Sequence, residues 1–385
     1  MRIGMFIDCY HPIINGVTTE VEELKKTLEN LGVEVFLFVP KAPGYVEEDR
    51  VYRFSSIAFP FQPEHRFTFP FPRKILDTTD KLALDLIHLH TPFNVGWIGL
   101  YKAKKLGIPV VFTHHTFWED YVHYFPLLPR GIARKVAYYL YHFISNRSKY
   151  IIAPSREAKK RLENIGINTT IEVIPGGINL ELFSPTGGEE IREEILGKSG
   201  KYLLLYVGRL GKEKNLGYLV SMMGHLYRRD KSIRLLIVGD GPVREDLERK
   251  TWELGIEDVV IFRGYVPREN LPPYYAGADL MVFSSKTETQ GVVLVESLAC
   301  GTPVIAVSAE AQNELLSGKG CGVLVSGGPD EFARIVFGLL HDPEKLKRMR
   351  KEGLKVAGLY SRQVMGGKIL DLYNKTVEKN EKKPL

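Results

Sequence analysis

The chain has 385 residues, 44% hydrophobic and 25% charged, with a formal net charge of +6, which excludes a disordered or fibrous polymer and leaves room for two domains with cores of their own. No apolar run approaches the roughly 20 residues that span a bilayer, and the start MRIGMFIDCY carries Asp8 and lacks the apolar core of a signal peptide. Cys9, Cys300 and Cys321 are scattered and form no C-x-x-C pair, so the expectation is a cytoplasmic protein without a disulfide framework or a zinc site.

RIGMFID reads as a first strand. Residues 18–32 place Val21, Leu24, Leu28 and Leu31 on one helical face, with Thr18 or Thr19 as cap and Gly32 as stop signal. VEVFLFVP is a second buried strand. Residues 52–74 hold six Phe, four Pro and one acid, Glu64, a composition suited to an irregular apolar wall, a membrane-dipping loop or aromatic core. LIHLH (86–90), PVVFTHH (109–115) and YIIAPS (150–155) repeat the strand theme, with helical patterns between them. Pro175, Gly176, Gly177 and Pro185 punctuate a linker over 174–185. Strands then resume at 202–208, 233–239, 259–262, 279–285 and 302–307, again separated by helical patterns.

Short continuous apolar strands alternating with helices predict parallel sheets covered on both faces. The fold class is therefore α/β, with two Rossmann-like, doubly wound domains facing across a cleft and a hinge near Pro175. The first covers residues 1–173 and the second 174–360. In open sheets of this kind ligands sit beyond the carboxyl ends of the strands, so loops that follow strands carry the chemistry.

Two such loops stand out. In GRLGKEKNL (208–216), Arg209 and Lys214 follow a strand end and can clamp a diphosphate, the guanidinium as a planar fork and the ammonium as a compact charge; the bland alternative is two solvated cations. In SSKTETQGVVLVESLACG (284–301), Glu288 precedes the loop TQG, a helix starts near Gly291, and Glu296 lies about a turn and a half inside it. Free N–H groups at that helix start make an anion site, and carboxylates accept from pairs of sugar hydroxyls. The bland alternative is a dipole acid at Glu288 and a solvated Glu296.

These loops, with VGDGPVREDL (238–247), GYVPRENLPPYYAGADLMVFSS (264–285) and the Glu288-x7-Glu296 unit, resemble glycosyltransferase family 4 over essentially the whole chain. The resemblance implies the two-lobed glycosyltransferase B fold (GT-B), a nucleotide-sugar donor and retention of anomeric configuration. It implies that Arg209 and Lys214 bind the donor diphosphate and stabilise the leaving nucleotide, that Glu288 binds donor-sugar hydroxyls, and that Glu296 binds the ribose. The amides of Gln290, Gly291, Val292 and Val293 then approach the distal phosphate, Gly239 and Tyr265–Val266 flank the base, and Gly16 lies under the diphosphate. It also implies that His115 contacts the donor sugar near the reacting carbon, and that residues 361–385 carry a helix returning to the first domain. His114, by strand alternation, points elsewhere or packs. Asp120 is a candidate for orienting an acceptor hydroxyl, or a loop acid. No D-x-D occurs in the chain, and with Arg209, Lys214 and a helix N-terminus supplying positive potential, the expectation is no cofactor and no essential metal.

The string HTFWEDYVHY (115–124) resembles a narrower branch, the bacterial diacylglycerol glucosyltransferases. From Tyr101 to Arg161 there are twelve Lys or Arg against three acids, and no acid between Tyr121 and Arg156. Such a field suits phosphates, nucleic acid or an anionic membrane, or is a solvated basic face. Residues 130–149 join Arg130, Arg134, Lys135, Arg147 and Lys149 to Tyr138, Tyr139, Tyr141 and Phe143, the make-up of a helix lying on anionic lipid. No nucleic-acid motif accompanies the charge, so no nucleic-acid partner is expected. The reading is transfer of a hexose, glucose from UDP-glucose, to the hydroxyl of 1,2-diacylglycerol, by an enzyme peripheral on the cytoplasmic membrane face. The alternatives are the same donor chemistry on a phosphoinositol lipid, glycan or soluble polyol, and, from another class, a non-catalytic nucleotide-binding membrane scaffold.

Overall fold

The computed structural model describes residues 1–13, 16–59, 62–68, 73–117 and 129–381. In chain order its elements are β1 (Arg2–Phe6), α1 (Gly16–Asn30), β2 (Glu34–Pro40), β3 (Val51–Phe54), β4 (Ser56–Phe59), β5 (Gln62–Thr68), α2 (Arg73–Lys81), β6 (Leu86–Leu89), α3 (Asn94–Leu106), β7 (Val110–Thr113), α4 (Arg130–Ser145), β8 (Tyr150–Ala153), α5 (Arg156–Asn164) and β9 (Ile171–Val173). There follow α6 (Glu189–Leu196), β10 (Tyr202–Val207), α7 (Leu216–Tyr227), β11 (Ile233–Val238), α8 (Arg244–Glu253), β12 (Val260–Gly264), α9 (Pro272–Gly277), β13 (Leu280–Phe283), α10 (Val292–Ala299), β14 (Val304–Val307), α11 (Glu310–Leu316), β15 (Gly322–Val325), α12 (Pro329–Leu340), α13 (Pro343–Gly358) and α14 (Arg362–Glu381). They form two compact units, Met1–Gly177 with Arg362–Leu385, and Ile178–Ser361.

In the first unit the described residues place seven strands in one parallel sheet, in the order β3-β2-β1-β6-β7-β8-β9. Alternation along each strand feeds two cores. On β2, Phe36 and Phe38 enter one cluster, and Val35, Leu37 and Val39 enter the other. Both faces are buried, which is why these strands read as continuous apolar runs rather than alternating ones. The second unit holds β12-β11-β10-β13-β14-β15, also parallel.

Helix ends follow side-chain chemistry. Ser155 caps α5 by accepting from the Ala158 N–H at 3.1 Å, and Asp342 caps α13 through Lys345 at 3.0 Å, with Pro343 in the first turn. Helix α14 buries Met365, Ile369, Leu372 and Tyr373 in the first unit's core, each apolar side chain worth about 1.5–3 kcal/mol. Gly366 is required by its approach to α1, since a Cβ there would lie 2.3 Å from Thr27 Cγ2.

Several expectations shift. The unit boundary falls at Gly177/Ile178 rather than after residue 173, because Ile174 still bonds the Ala153 carbonyl and joins the first unit's core. The returning helix starts at Arg362, and Gly177 packs against it, a Cβ there lying 2.6 Å from Arg362 Cα. Helix α1 begins at Gly16, so Thr18 sits inside its first turn. Its hydroxyl donates to Cys9 Sγ (3.6 Å) and to the Ile13 carbonyl (3.3 Å).

Over 52–74, where an irregular apolar wall, a membrane-dipping loop and aromatic core were the open readings, the described residues are regular and Phe54 joins the first unit's core. They comprise β3 and an antiparallel ribbon of β4 and β5 with Ile57 opposite Phe67. A two-stranded ribbon leaves each strand a free edge, which tolerates Pro63. Strands β9 and β15, and the ribbon, had no counterpart in the sequence reading. The three cysteines are buried and none forms a disulfide among the described residues. Among the described residues no helix is long and apolar enough to cross a membrane.

Candidate active site

In the second unit β10 pairs with β11 on one side and β13 on the other, so the winding reverses between β10 and β13. Loops diverge at such a switch point and leave a crevice. The loop after β10 carries Arg209, which is exposed, and Lys214, which ends a short 3-10 turn. The loop after β13 carries Glu288. Lys214 Nζ donates to Glu288 Oε1 at 2.5 Å, an ion pair spanning the switch point. Burial pushes the Glu288 carboxyl up, but the charge and hydrogen bond of Lys214 outweigh it and hold it below its ordinary value. Ser284, fully buried, shares its hydroxyl between the carbonyls of Lys214 (2.9 Å) and Asn215 (3.1 Å), tying the cation's loop to the carboxylate's strand.

Gly291 precedes α10 in the left-handed region, at φ +74°, and no side chain caps the helix start among the described residues. The first amides of α10 therefore present an uncapped positive dipole end. Gln290 is buried and Val292 and Val293 are half-buried. Glu296, one turn on, is buried. Its Oε1 accepts from Arg268 Nε (2.9 Å), with Arg268 Nη2 2.8 Å away as an ion pair, and its Oε2 accepts from the Tyr275 hydroxyl (2.9 Å). Burial and then the Glu296 charge push the Tyr275 hydroxyl far above its ordinary value. Gly239 (φ +134°) ends β11 so close to β10 that a Cβ would lie 2.0 Å from the Gly208 carbonyl oxygen. Tyr265 is exposed and Val266 half-buried beyond β12.

The first unit has its own switch point, between β1 and β6. Asp8 follows β1 and Thr91 follows β6. The Thr91 hydroxyl donates to Asp8 Oδ2, the Asp8 N–H donates to Thr91 Oγ1 (3.0 Å), and the Val95 N–H at the start of α3 donates to Asp8 Oδ1 (2.9 Å). Burial pushes the Asp8 carboxyl up to about 6, against the lowering pull of Thr91 and the amides of Val95, Gly96 and Phe93.

Beside it lies a histidine cluster. His115 Nδ1 is 3.1 Å from Glu20 Oε2 on α1, and His115 Nε2 is 3.0 Å from His90 Nδ1. The His88 ring lies tilted against His90 with centroids 4.0 Å apart, and its nitrogens meet the Tyr373 hydroxyl (2.6 Å) and Thr113 Oγ1 (2.7 Å). Burial lowers His88 and His114 to about 3, with the charge of His115 adding to it.

Arg209, Lys214, Glu288, Gln290, Gly291, Val292, Val293, Glu296, Gly239, Tyr265 and Val266 all follow carboxyl strand ends of the second unit, and Lys214 and Glu288 are in direct contact. His115 lies in the first unit. Gly16 opens α1, where a Cβ would meet nothing within 4 Å, so protein packing does not demand glycine there. Asp120 lies outside the described residues. His114 packs, the second of the two expectations: it is buried, with its ring 4.5 Å from that of Phe117 and edge-on to Tyr141 at 4.8 Å. Residues not assigned from sequence are Asp8, Glu20, His90, Thr91, Arg268, Tyr275 and Ser284. The strand-end rule would have found Asp8, His90, Thr91 and Ser284. Glu20, Arg268 and Tyr275 arrive from helices or loops distant in sequence and left no local signal.

Helix α4 shows a mixed face. Tyr141 and Ile144 are buried, whereas Ile132, Val136 and Tyr139 are exposed. Arg147 lies over the Phe143 ring at 4.0 Å, and Phe143 packs near Trp97 of α3, which is 47% exposed.

Two parallel, doubly wound halves with charged loops at their strand ends are the layout of the GT-B fold. A solved sucrose-phosphate synthase from Thermosynechococcus elongatus superposes with a TM-score of 0.80 at 23% identity, covering 98% of this chain and 99% of that one. Residues 14–182 match the model of Glycosyltransferase Family 4, and residues 188–356 match Glycosyl transferases group 1. The chain is 33% identical over 363 residues to an alpha-monoglucosyldiacylglycerol synthase of Streptococcus pneumoniae, covering 92% of this chain and 82% of the relative. It is 30% identical over 395 residues to the enzyme of that name from Acholeplasma laidlawii, covering 100% and 99%. The chain belongs to glycosyltransferase family 4 and is a nucleotide-sugar-dependent hexosyltransferase.

Proposed function

We propose that this enzyme transfers glucose from UDP-glucose to the free hydroxyl of 1,2-diacylglycerol, with retention, at the cytoplasmic face of an anionic membrane. The observation that carries the donor half is the Lys214–Glu288 pair at the switch point of the second unit, beside the uncapped start of α10. Arg209, Lys214 and the α10 amides hold the diphosphate and stabilise charge on the leaving nucleotide, a preorganised electrostatic role. Glu288, released from Lys214 when phosphate arrives, accepts from sugar hydroxyls. Glu296, oriented by Arg268 and Tyr275, accepts from the ribose. The base lies against Gly239, Tyr265 and Val266. With these cations the reaction proceeds without a metal ion or cofactor. In the first unit His115, oriented by Glu20, contacts the transferred sugar.

The acceptor half rests on two supports: two relatives of at least 30% identity are named for monoglucosyldiacylglycerol synthesis, and α4 exposes Ile132, Val136 and Tyr139 among Arg134, Lys135 and Arg147. Lys and Arg near an anionic surface contribute about 1 kcal/mol each. Neutralising Arg134, Lys135, Arg147 and Lys149 should weaken sedimentation with phosphatidylserine vesicles by up to about 10³-fold and leave UDP affinity unchanged; equal vesicle binding would remove the membrane face. The function itself is tested by mass spectrometry of products from mixed UDP- and GDP-sugars with diacylglycerol vesicles and, separately, soluble polyols. The expected product is glucosyl-diacylglycerol, formed with a chelator present. A product on soluble polyols alone would replace the acceptor, and nucleotide-sugar binding without any product would favour a scaffold.

A further inference from the structure

Two adjacent serines follow β13, both without exposed surface, and their hydroxyls fare differently. Ser284 donates to the carbonyls of Lys214 and Asn215 and fixes the cation's loop. The Ser285 hydroxyl has no hydrogen-bond partner among the described residues. A buried hydroxyl left unpaired costs about as much as a lost hydrogen bond, so it calls for a cause.

Its surroundings supply one. Gln312 of α11, itself fully buried, donates from Nε2 to the Ser285 carbonyl at 2.8 Å and holds this residue's backbone in place. Three residues on stands Glu288, paired through Oε1 with Lys214, each side chain only 17% exposed. Burial pushes the Glu288 carboxyl up, the charge and hydrogen bond of Lys214 pull it down, and the Ser285 hydroxyl adds the smallest pull. The hydroxyl therefore lies beside the carboxylate without completing a bond to it. Taking the cation from a largely buried carboxylate is costly unless another donor replaces it. A hydroxyl hydrogen turns freely, so a small movement of the carboxylate away from Lys214 completes the bond.

We infer that the Ser285 hydroxyl is a reserve donor, which takes up the Glu288 carboxylate when a diphosphate draws Lys214 away and keeps that carboxylate charged and in position. Ser285 is thus a positioning residue that acts through Glu288, and the inference rests on the donor reading above. The other charged or titratable groups around Glu288 do not replace it as a donor. Arg209, Glu213 and Lys214 share the loop after β10, where the diphosphate engages the two cations. Lys286 is exposed. Tyr206 of β10 has a hydroxyl that burial pushes far above its ordinary value, and it bonds the Arg209 carbonyl. Helix α10 brings only valine and leucine in its first turn.

The test is calorimetric titration of the full chain with UDP-glucose between pH 5 and 8, in buffers of different ionisation enthalpy. This ligand is a diphosphate esterified at both ends and has no phosphate proton to lose in that range. Losing Lys214 lets the Glu288 carboxyl rise, so binding takes up a proton as pH falls. In Ser285→Ala that uptake should begin about one pH unit higher than in wild type, and affinity at pH 8 should fall about tenfold, the loss of one hydrogen bond to a charged group. The free variant should resist urea as well as wild type or better, because there the hydroxyl has no partner to lose. Ser285→Cys nearly keeps the volume with a weak donor and should bind as the alanine variant does. Unchanged affinity and proton uptake in Ser285→Ala would overturn the inference, as would wild-type binding by Ser285→Cys, which would mean packing alone. If wild type itself does not bind UDP-glucose, the donor reading fails first and the role of Ser285 falls with it.

Discussion

The two sheets share one strand order around their reversal point, yet the two points are furnished in opposite ways. In the second unit the crevice between β10 and β13 is spanned by full charges, Lys214 against Glu288, with Arg268 against Glu296 nearby. In the first unit the crevice between β1 and β6 holds a buried carboxyl pushed up to about 6, a threonine hydroxyl and imidazoles whose basicity burial suppresses. The same topology thus builds an ion-paired, ionic socket in one half and, in the other, a buried carboxyl among groups that burial keeps from charging. An ionic socket suits a diphosphate that exchanges places with a carboxylate around a lysine. A socket without a cation paired across it offers single donors and acceptors, which suit hydroxyls better than a diphosphate.

The largest effect expected from breaking this contrast is at Lys214. Lys214→Ala or Arg209→Ala should lower turnover by about 10²–10³, as for loss of one preorganised donor in other enzymes. Because Lys214→Ala strands the Glu288 charge, the double variant Lys214→Met/Glu288→Gln separates folding from chemistry: it should restore stability in urea without restoring turnover. Full turnover in both single variants would refute the assignment.

Arg268→Ala comes next. It removes the ion-pair partner and a charge-assisted hydrogen bond of a buried carboxylate, at a cost of about 3 kcal/mol in urea unfolding, and should weaken UDP binding more than binding of inorganic diphosphate. Equal weakening of the two would mean that Glu296 does not read the ribose.

A smaller effect is expected at Asp8. Its folded-state carboxyl sits at about 6 against 3.8 in the unfolded chain, so the folded state binds the proton more tightly. Stability from this group is full below pH 3.8, falls as pH rises to about 6 and is flat above. Asp8→Asn should flatten that decline, on the order of 1–3 kcal/mol in all. An unchanged slope between pH 4 and 6 in urea titrations would show that the amides of α3 fully compensate the charge.

Much of the architecture was legible from residues alone. Strands buried on both faces announce themselves as apolar runs, and GRLGKEKNL and the Glu288-x7-Glu296 unit mark loops that follow strand ends. Less legible were features set by sequence-distant partners. That Glu296 is clasped by Arg268 and Tyr275 depends on how β12 and α9 fall beside α10. The aromatic cage that buries His114, with Phe117 and Tyr141 in it, likewise depends on α4 and the loop after β7 rather than on strand alternation. The ribbon of β4 and β5 was hidden by its Phe and Pro content, since a free-edged ribbon accepts residues that a central strand rejects.

The central claim is that the second unit's ionic socket binds a nucleoside diphosphate without help from an ion. Calorimetric titration of UDP in the presence of a chelator tests it most directly. Wild type should bind with unchanged affinity when the chelator is added, and Lys214→Ala should bind at least tenfold more weakly, the loss of one charge-assisted contact. Binding that vanishes with the chelator, or a Lys214→Ala variant that binds as tightly as wild type, would contradict the account.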